Sequence, residues 1–172
     1  FGIEAGDNDV LKPMNKKTNI DRIKRHFAIV HKVGFETASY FILGFPGETE
    51  ESMKNTIQFA KDIKTHYGSI NIYEPVPATN TYDDFLADGN KDQWIDYIHL
   101  KRKEMPVFHG NLDRSVVEKY FRISHREIYF NFPAFLRLMK LVNSFTRLKN
   151  FMLVGFAMLF NVVLARYATQ KS

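Results

Sequence analysis

The run Tyr40-Phe41-Ile42-Leu43-Gly44-Phe45-Pro46-Gly47-Glu48-Thr49 constrains this chain more than any other feature. Four consecutive apolar or aromatic residues suit a strand covered on both faces, as in a parallel sheet. The Gly-Phe-Pro-Gly that follows must turn tightly, and Thr49 is a capping residue for a helix in which Met53, Ile57, Ala60 and Ile63 recur on one side. Upstream, Thr18 is the predicted N-cap of a helix in which Ile20, Ile23, Phe27, Val30 and Val33 recur at helical spacing, and Gly34 stands where a left-handed C-cap falls. A strand over about 35–43 follows it. Downstream, Ser69-Ile70-Asn71-Ile72-Tyr73-Glu74 reads as a short strand stopped by Pro75. The order strand end, helix, strand, helix, strand predicts an α/β fold with a parallel sheet.

The opening Phe1-Gly2-Ile3-Glu4 reads as the end of a buried strand, with loop through residue 17. It carries neither an initiator Met nor a signal-peptide pattern, so the chain is expected to be a piece of a longer protein. Beyond residue 75 the character changes. A long Pro- and Thr-rich loop is followed by helices predicted near 93–103, 113–129 and 134–142, and by one starting from an N-cap at Ser144.

Cysteine is absent, which removes disulfides, thiolate metal sites and a cysteine nucleophile from these 172 residues. The net charge of +5 conceals an asymmetry. Residues 131–172 contain six Lys and Arg and no acid, and the rest is close to neutral. Within that tail, residues 151–165 are apolar except for Gly155 and Asn161. The stretch is shorter than the roughly 20 residues a membrane span needs. A buried helix and an interfacial helix drawn to anionic headgroups are the two readings it supports. The basic residues there sit among aliphatics rather than on a stacking platform, so no nucleic-acid partner is expected. His26 and His31 are five apart, the wrong spacing for ligation from one helix face, and the other histidines are scattered. Neither a metal site nor a catalytic residue is assigned.

Ligands of parallel α/β sheets bind at the carboxyl ends of the strands. The three strand-end loops here are Gly2-Ile3-Glu4-Ala5-Gly6-Asp7, Gly44-Phe45-Pro46-Gly47-Glu48-Thr49 and Glu74-Pro75-Val76-Pro77-Ala78-Thr79. Glycines permit close backbone approach, a carboxylate can accept from sugar hydroxyls, and the Pro-rich loop fixes an extended backbone whose carbonyls can serve a ligand.

Taken together with Val10-Leu11 and Met14-Asn15-Lys16, these three segments resemble strands four to six of a radical S-adenosylmethionine (SAM) partial barrel. The likeness is strongest to the group that often carries a cobalamin-binding domain and includes anaerobic magnesium-protoporphyrin ester cyclase-like proteins. It covers residues 1–85 well and continues loosely through 113–137, where Tyr129-Phe130-Asn131-Phe132-Pro133 matches an aromatic-aromatic-x-x-Pro segment. It implies the C-terminal half of a (β/α)6 TIM-like barrel over residues 1–85, followed by a helical extension over 86–172. It also implies a cofactor site in which Glu4 lies near the SAM ribose and methionine portions. Ile42, Leu43 and Gly44 would pack on or hydrogen-bond the adenine, and Tyr73, Glu74 and Pro75 would flank it. Glu48 would fix its loop. Ala5 and Ala78 depart from the Ser and Gly common at those places.

The activity implied is reductive cleavage of SAM to a 5′-deoxyadenosyl radical, with the [4Fe-4S] ligands outside this chain and cobalamin a candidate further cofactor. These 172 residues alone would be inactive. The partners implied are the missing N-terminal half and a small, membrane-proximal or hydrophobic substrate. The location implied is the cytoplasm, with peripheral membrane contact through 131–172. The alternative is a non-catalytic α/β binding or scaffold protein whose glycine loops are only turns.

Overall fold

The computed structural model describes residues 1–77, 79–86, 91–101, 112–129, 132–153 and 155. Most of the apolar tail over 151–165, Ala78 and the Phe130-Asn131 pair lie outside them. The chain divides into two compact units, Phe1–Ala134 and Phe135–Ser172.

The first unit is built on three short strands, β1 (Gly2–Glu4), β2 (Ala38–Leu43) and β3 (Tyr67–Ile72), all parallel and in the order β1-β2-β3. Helices α1 (Asn8–Leu11) and α2 (Ile20–Val33) connect the first two strands, and α3 (Glu50–Asp62) connects the second to the third. After β3 come α4 (Asn80–Phe85), α5 (Lys91–Ile98), α6 (Arg114–Tyr129) and α7 (Phe132–Met139).

Local chemistry accounts for the helix ends. Thr49 and Ser52 form a reciprocal capping box at the start of α3, and Met53, Ile57, Ala60 and Ile63 are all buried, as their spacing predicts. Gly34 ends α2 at φ +85°, where a side chain would be strained. The N-cap of α2 is Asn19 rather than Thr18, its side chain accepting from the Arg22 amide at 2.9 Å. Both residue types cap well, and in Asn19 the acceptor lies one residue nearer the first turn. The loop expected through residue 17 contains α1, a single turn capped by Asp7. Four residues are too few to show a periodicity.

One face of the sheet is packed by helices. Ile3 and Ala5 of the first strand end, Phe41 and Leu43 of β2 and Ile70 of β3 join Phe27 of α2, Met53 and Phe59 of α3, and Val117 and Tyr120 of α6 in the core. Phe41 meets Phe59 edge to face at 6.5 Å between ring centres. The other face is more open: Tyr40, on the central strand, is 51% exposed. The apolar run over 40–43 is therefore covered on one face rather than both among the described residues.

Although α6 lies in the helical region after residue 85, it packs on α3 and β3 and belongs to the first unit. Lys61 pairs with Glu127 at 2.9 Å, and the Tyr120 hydroxyl donates to Glu50 at 2.8 Å. Gly68 lets α6 come close, since a β-carbon there would lie 3.0 Å from the Ile128 Cγ2 and that methyl would have to give by a few tenths of an ångström. A polar cluster ties the starts of β2 and β3. Thr37 and His66 exchange backbone and side-chain bonds, and the buried Ser39 and Thr65 hydroxyls meet at 2.9 Å. In the second unit, Ser144 accepts from the Arg147 amide at 3.2 Å, as its N-cap assignment predicts, and the Phe135 and Phe151 rings lie tilted to each other at 6.1 Å between centres. Among the described residues no helix is long and apolar enough to cross a membrane.

Candidate functional site

Because the strands are parallel and neighbours in order, Glu4, Leu43 and Ile72 end along a single edge of the sheet. Leu43 pairs with Ile72 in register, and Glu4 pairs with Phe41 after an irregularity in β1. The three predicted loops leave from that edge.

At the β1 end, Glu4 adopts φ +73°, a left-handed conformation uncommon for any residue but glycine. Its carboxylate accepts from Lys16 at 2.6 Å, both side chains being largely but not wholly buried. The pair puts a carboxylate and an ammonium side by side at the strand end. Gly6 serves a purpose different from the ligand approach expected of it. Its amide donates to Thr56 on α3 at 2.9 Å, and a β-carbon there would fall 2.6 Å from the Thr56 Cα. Asp7 then caps α1 and accepts from Asn55 at 2.9 Å, so the loop is clamped to the start of α3.

At the β2 end the chain turns through Gly44 at φ +84° and Gly47 at φ +86°. Glu48 is 1% exposed, and its Oε2 accepts from the amides of Gly44 at 2.5 Å and Phe45 at 3.1 Å. It thus fixes its loop, through inward-facing amides rather than through the dipole of α3. Its second oxygen, Oε1, is buried without a partner. Burial pushes the Glu48 carboxyl up to about 7, with the nearby Asp7 adding to the rise and the two amides and the Ser52 side chain opposing it.

The β3 end is tied to the β2 end. The Tyr73 amide donates to the Leu43 carbonyl at 2.7 Å, and the Phe45 and Tyr73 rings meet edge to face at 5.0 Å. The Tyr73 hydroxyl bonds that of Thr81. Pro75 is fully buried, whereas Glu74 is exposed. One carbonyl of this loop, that of Val76, is taken by the Thr79 hydroxyl at 2.7 Å.

Of the residues singled out in the sequence, Leu43, Gly44 and Tyr73 are thus joined directly, while Glu4 lies one strand over. Ile42 is half-buried on the open face that also carries Tyr40. The Leu43 carbonyl and the Gly44 amide are engaged within the protein, which leaves packing as the larger part of what this turn offers a ring. Lys16 stood in a segment that carries the resemblance but was given no role, and Thr56 carried no signal in the sequence, since their partners lie 12 and 50 residues away.

The comparison that bears most directly on this edge is the family match: the radical SAM superfamily pattern matches residues 1–60, which include the ends of β1 and β2 and the turn at Gly44. Residues 1–60 belong to the radical SAM superfamily.

The relatives agree with it. The chain is 31% identical over 119 residues to a tRNA-2-methylthio-N(6)-dimethylallyladenosine synthase of Acinetobacter baumannii, covering 68% of this chain and 23% of that protein. It is 26% identical over 156 residues to the synthase of the same name from Ehrlichia ruminantium, covering 75% of this chain and 35% of the relative. An uncharacterized methyltransferase of Pyrococcus horikoshii is 33% identical over 93 residues, 52% of this chain and 19% of its own. The chain therefore spans about a quarter of the length of the first of these relatives. Among the described residues no group of three or more His, Cys, Asp or Glu could hold a metal ion, and the whole chain lacks cysteine. The residues present do not fit an iron–sulfur cluster. The radical SAM segment has instead the strand-end edge.

Proposed function

We propose that the radical SAM segment supplies the SAM-binding strand ends of a radical SAM enzyme whose cluster ligands lie outside these 172 residues. The observation that supports this reading most is the coincidence of two facts. The family match covers residues 1–60, and that same stretch sends two parallel strand ends, bearing the Glu4–Lys16 pair and the Gly44 turn, to one edge. SAM carries ribose hydroxyls, an ammonium, a carboxylate and an adenine. The Glu4 carboxylate can accept from hydroxyl or ammonium, the Lys16 ammonium can donate to a carboxylate, and the apolar surface of Ile42 can pack against a ring. Tyr73, Glu74 and Pro75 close the far side of the edge. In this reading a cluster held outside these residues would supply the electron for reductive cleavage of SAM, and this chain's residues would hold and orient the nucleoside. Nothing among the described residues bears on cobalamin, and the reading stops at SAM and a cluster. The small, hydrophobic substrate and the contact of 131–172 with a membrane surface remain parts of the same proposal.

The test is equilibrium dialysis of radiolabelled SAM against the natural protein that carries these residues, comparing wild type with Glu4→Gln. Saturable binding that weakens about tenfold or more in the variant supports the reading, a loss of roughly 1.4 kcal/mol of affinity. No saturable binding to the wild type overturns it and favours the scaffold alternative.

A further inference from the structure

We propose that Glu48 is a positioning residue that works as a proton-sensitive latch on the β2 end of this edge. Its consequence for SAM rests on the reading above, but the latch itself does not.

The surroundings of the Glu48 carboxyl disfavour its charged form, because it is buried with no counter-charge paired to it among the described residues. Two amides, those of Gly44 and Phe45, converge on Oε2, Oε1 is buried with no hydrogen-bond partner within range, and the Ser52 hydroxyl of α3 is the neutral polar side chain beside the carboxyl. Among the described residues no cation lies within ion-pair distance of Glu48. The charged group that faces it is Asp7, from the loop after β1, and Asp7 is of the same sign. From α6 the neighbour of this turn is the apolar Val117, whose Cγ1 lies 2.9 Å from where a Gly44 β-carbon would sit. An ionised carboxylate buried without a counter-charge loses more hydration than two amides return, whereas the protonated acid keeps Oε2 as acceptor and carries no charge. The closed turn therefore favours the protonated form, and the raised carboxyl agrees in direction.

Ionisation is relieved when the carboxylate reaches water, and the turn is built to allow that. Gly44 and Gly47 both sit in the left-handed region, and the space around Gly47 is open, with nothing within 4 Å of the place a β-carbon would take. Release of Glu48 frees the Gly44 and Phe45 amides. Through the Phe45–Tyr73 ring pair it also loosens the join to β3 on which a bound nucleoside would rest.

Amide hydrogen exchange at Gly44 and Phe45, corrected for intrinsic rates, reads the latch directly in the full chain. In the wild type protection falls about tenfold or more between about pH 5.5 and about pH 8.5. In Glu48→Gln, which keeps an oxygen acceptor and cannot ionise, protection stays level across that range. In Glu48→Ala it is lost throughout. Wild-type protection that does not change with pH overturns the latch, as does Glu48→Ala protection equal to wild type. SAM affinity measured over the same range reads the consequence. Affinity that follows the exchange in the wild type but not in Glu48→Gln supports positioning, and affinity indifferent to it overturns that part. A wild type that binds no SAM at any pH overturns the cofactor reading alone, with the exchange data still deciding the latch.

Discussion

The Gly6 amide donates to the Thr56 hydroxyl at 2.9 Å, and the two backbones lie so close that a β-carbon at position 6 would sit 2.6 Å from the Thr56 Cα. This contact fixes how closely the β1 loop lies against α3. Gly6→Ala is expected to cost at least about 2 kcal/mol, because the atoms it meets are the Thr56 backbone and the Phe59 Cβ, neither free to swing away. Thr56→Val, similar in shape but without the acceptor, leaves the amide unpaired and costs about 1–3 kcal/mol. Urea unfolding of both variants checks this. Destabilisation of Gly6→Ala below about 0.5 kcal/mol would show that the loop can move off α3.

Glu4 holds a left-handed backbone and an ion pair at once. Glycine relaxes the backbone by about 1 kcal/mol, and a partly exposed ion pair returns about as much or less. Glu4→Gly is therefore expected to stay within about 1 kcal/mol of wild type in stability while SAM binding falls at least about tenfold. A stability loss of about 2 kcal/mol or more in chemical denaturation would mean that Glu4 is kept for the fold and not for a ligand.

How much of this was legible follows from the range of each interaction. The inward face of α3 and the Gly34 stop of α2 were written in local periodicity and backbone freedom, and both are where the sequence puts them. The alternation of strands and helices announced a parallel sheet, and the sheet is parallel. What the sequence concealed is pairing at a distance. Lys16 looks like any loop lysine until the chain returns it to Glu4, and Thr56 looks like a helix-surface residue until the β1 loop lands on it. Glycine shows a similar limit: its presence at position 6 announces a close approach, but not whether a ligand or a helix makes it. Glu48 could be read as a loop-fixing residue, while the direction of its carboxyl, back toward Gly44 and Phe45, required coordinates.

Glu48 also predicts how stability varies with pH. Its folded pKa stands at about 7, above the ordinary 4.5, so the folded state binds the proton more tightly than the unfolded one. The contribution is complete below about pH 4.5, declines as pH rises, and is gone above about pH 7. The decline attributable to this one group is on the order of 3 kcal/mol. Thermal unfolding of wild type and Glu48→Gln across that window checks the sign. The difference between them should shift in favour of Glu48→Gln as pH rises, and parallel curves would mean that Glu48 titrates normally.

Gly44 and Gly47 share a backbone conformation but not an environment, and the contrast separates torsion from crowding. Both have φ near +85°, so alanine at either position carries the left-handed penalty of about 1–2 kcal/mol. At Gly47 nothing lies within 4 Å of the new methyl, and Gly47→Ala should cost that much and no more. At Gly44 the methyl would meet the Val117 Cγ1 at 2.9 Å, so Gly44→Ala should cost roughly 1–3 kcal/mol beyond it. The clashing atom is a methyl of a buried side chain on α6, and shortening that side chain makes room. Val117→Ala alone opens a cavity and destabilises, yet in the double variant the two changes should compensate, with a coupling of about 1 kcal/mol or more. A double variant whose cost is the sum of the single ones would show that α6 does not press on this turn in solution, and that torsion alone keeps glycine at position 44.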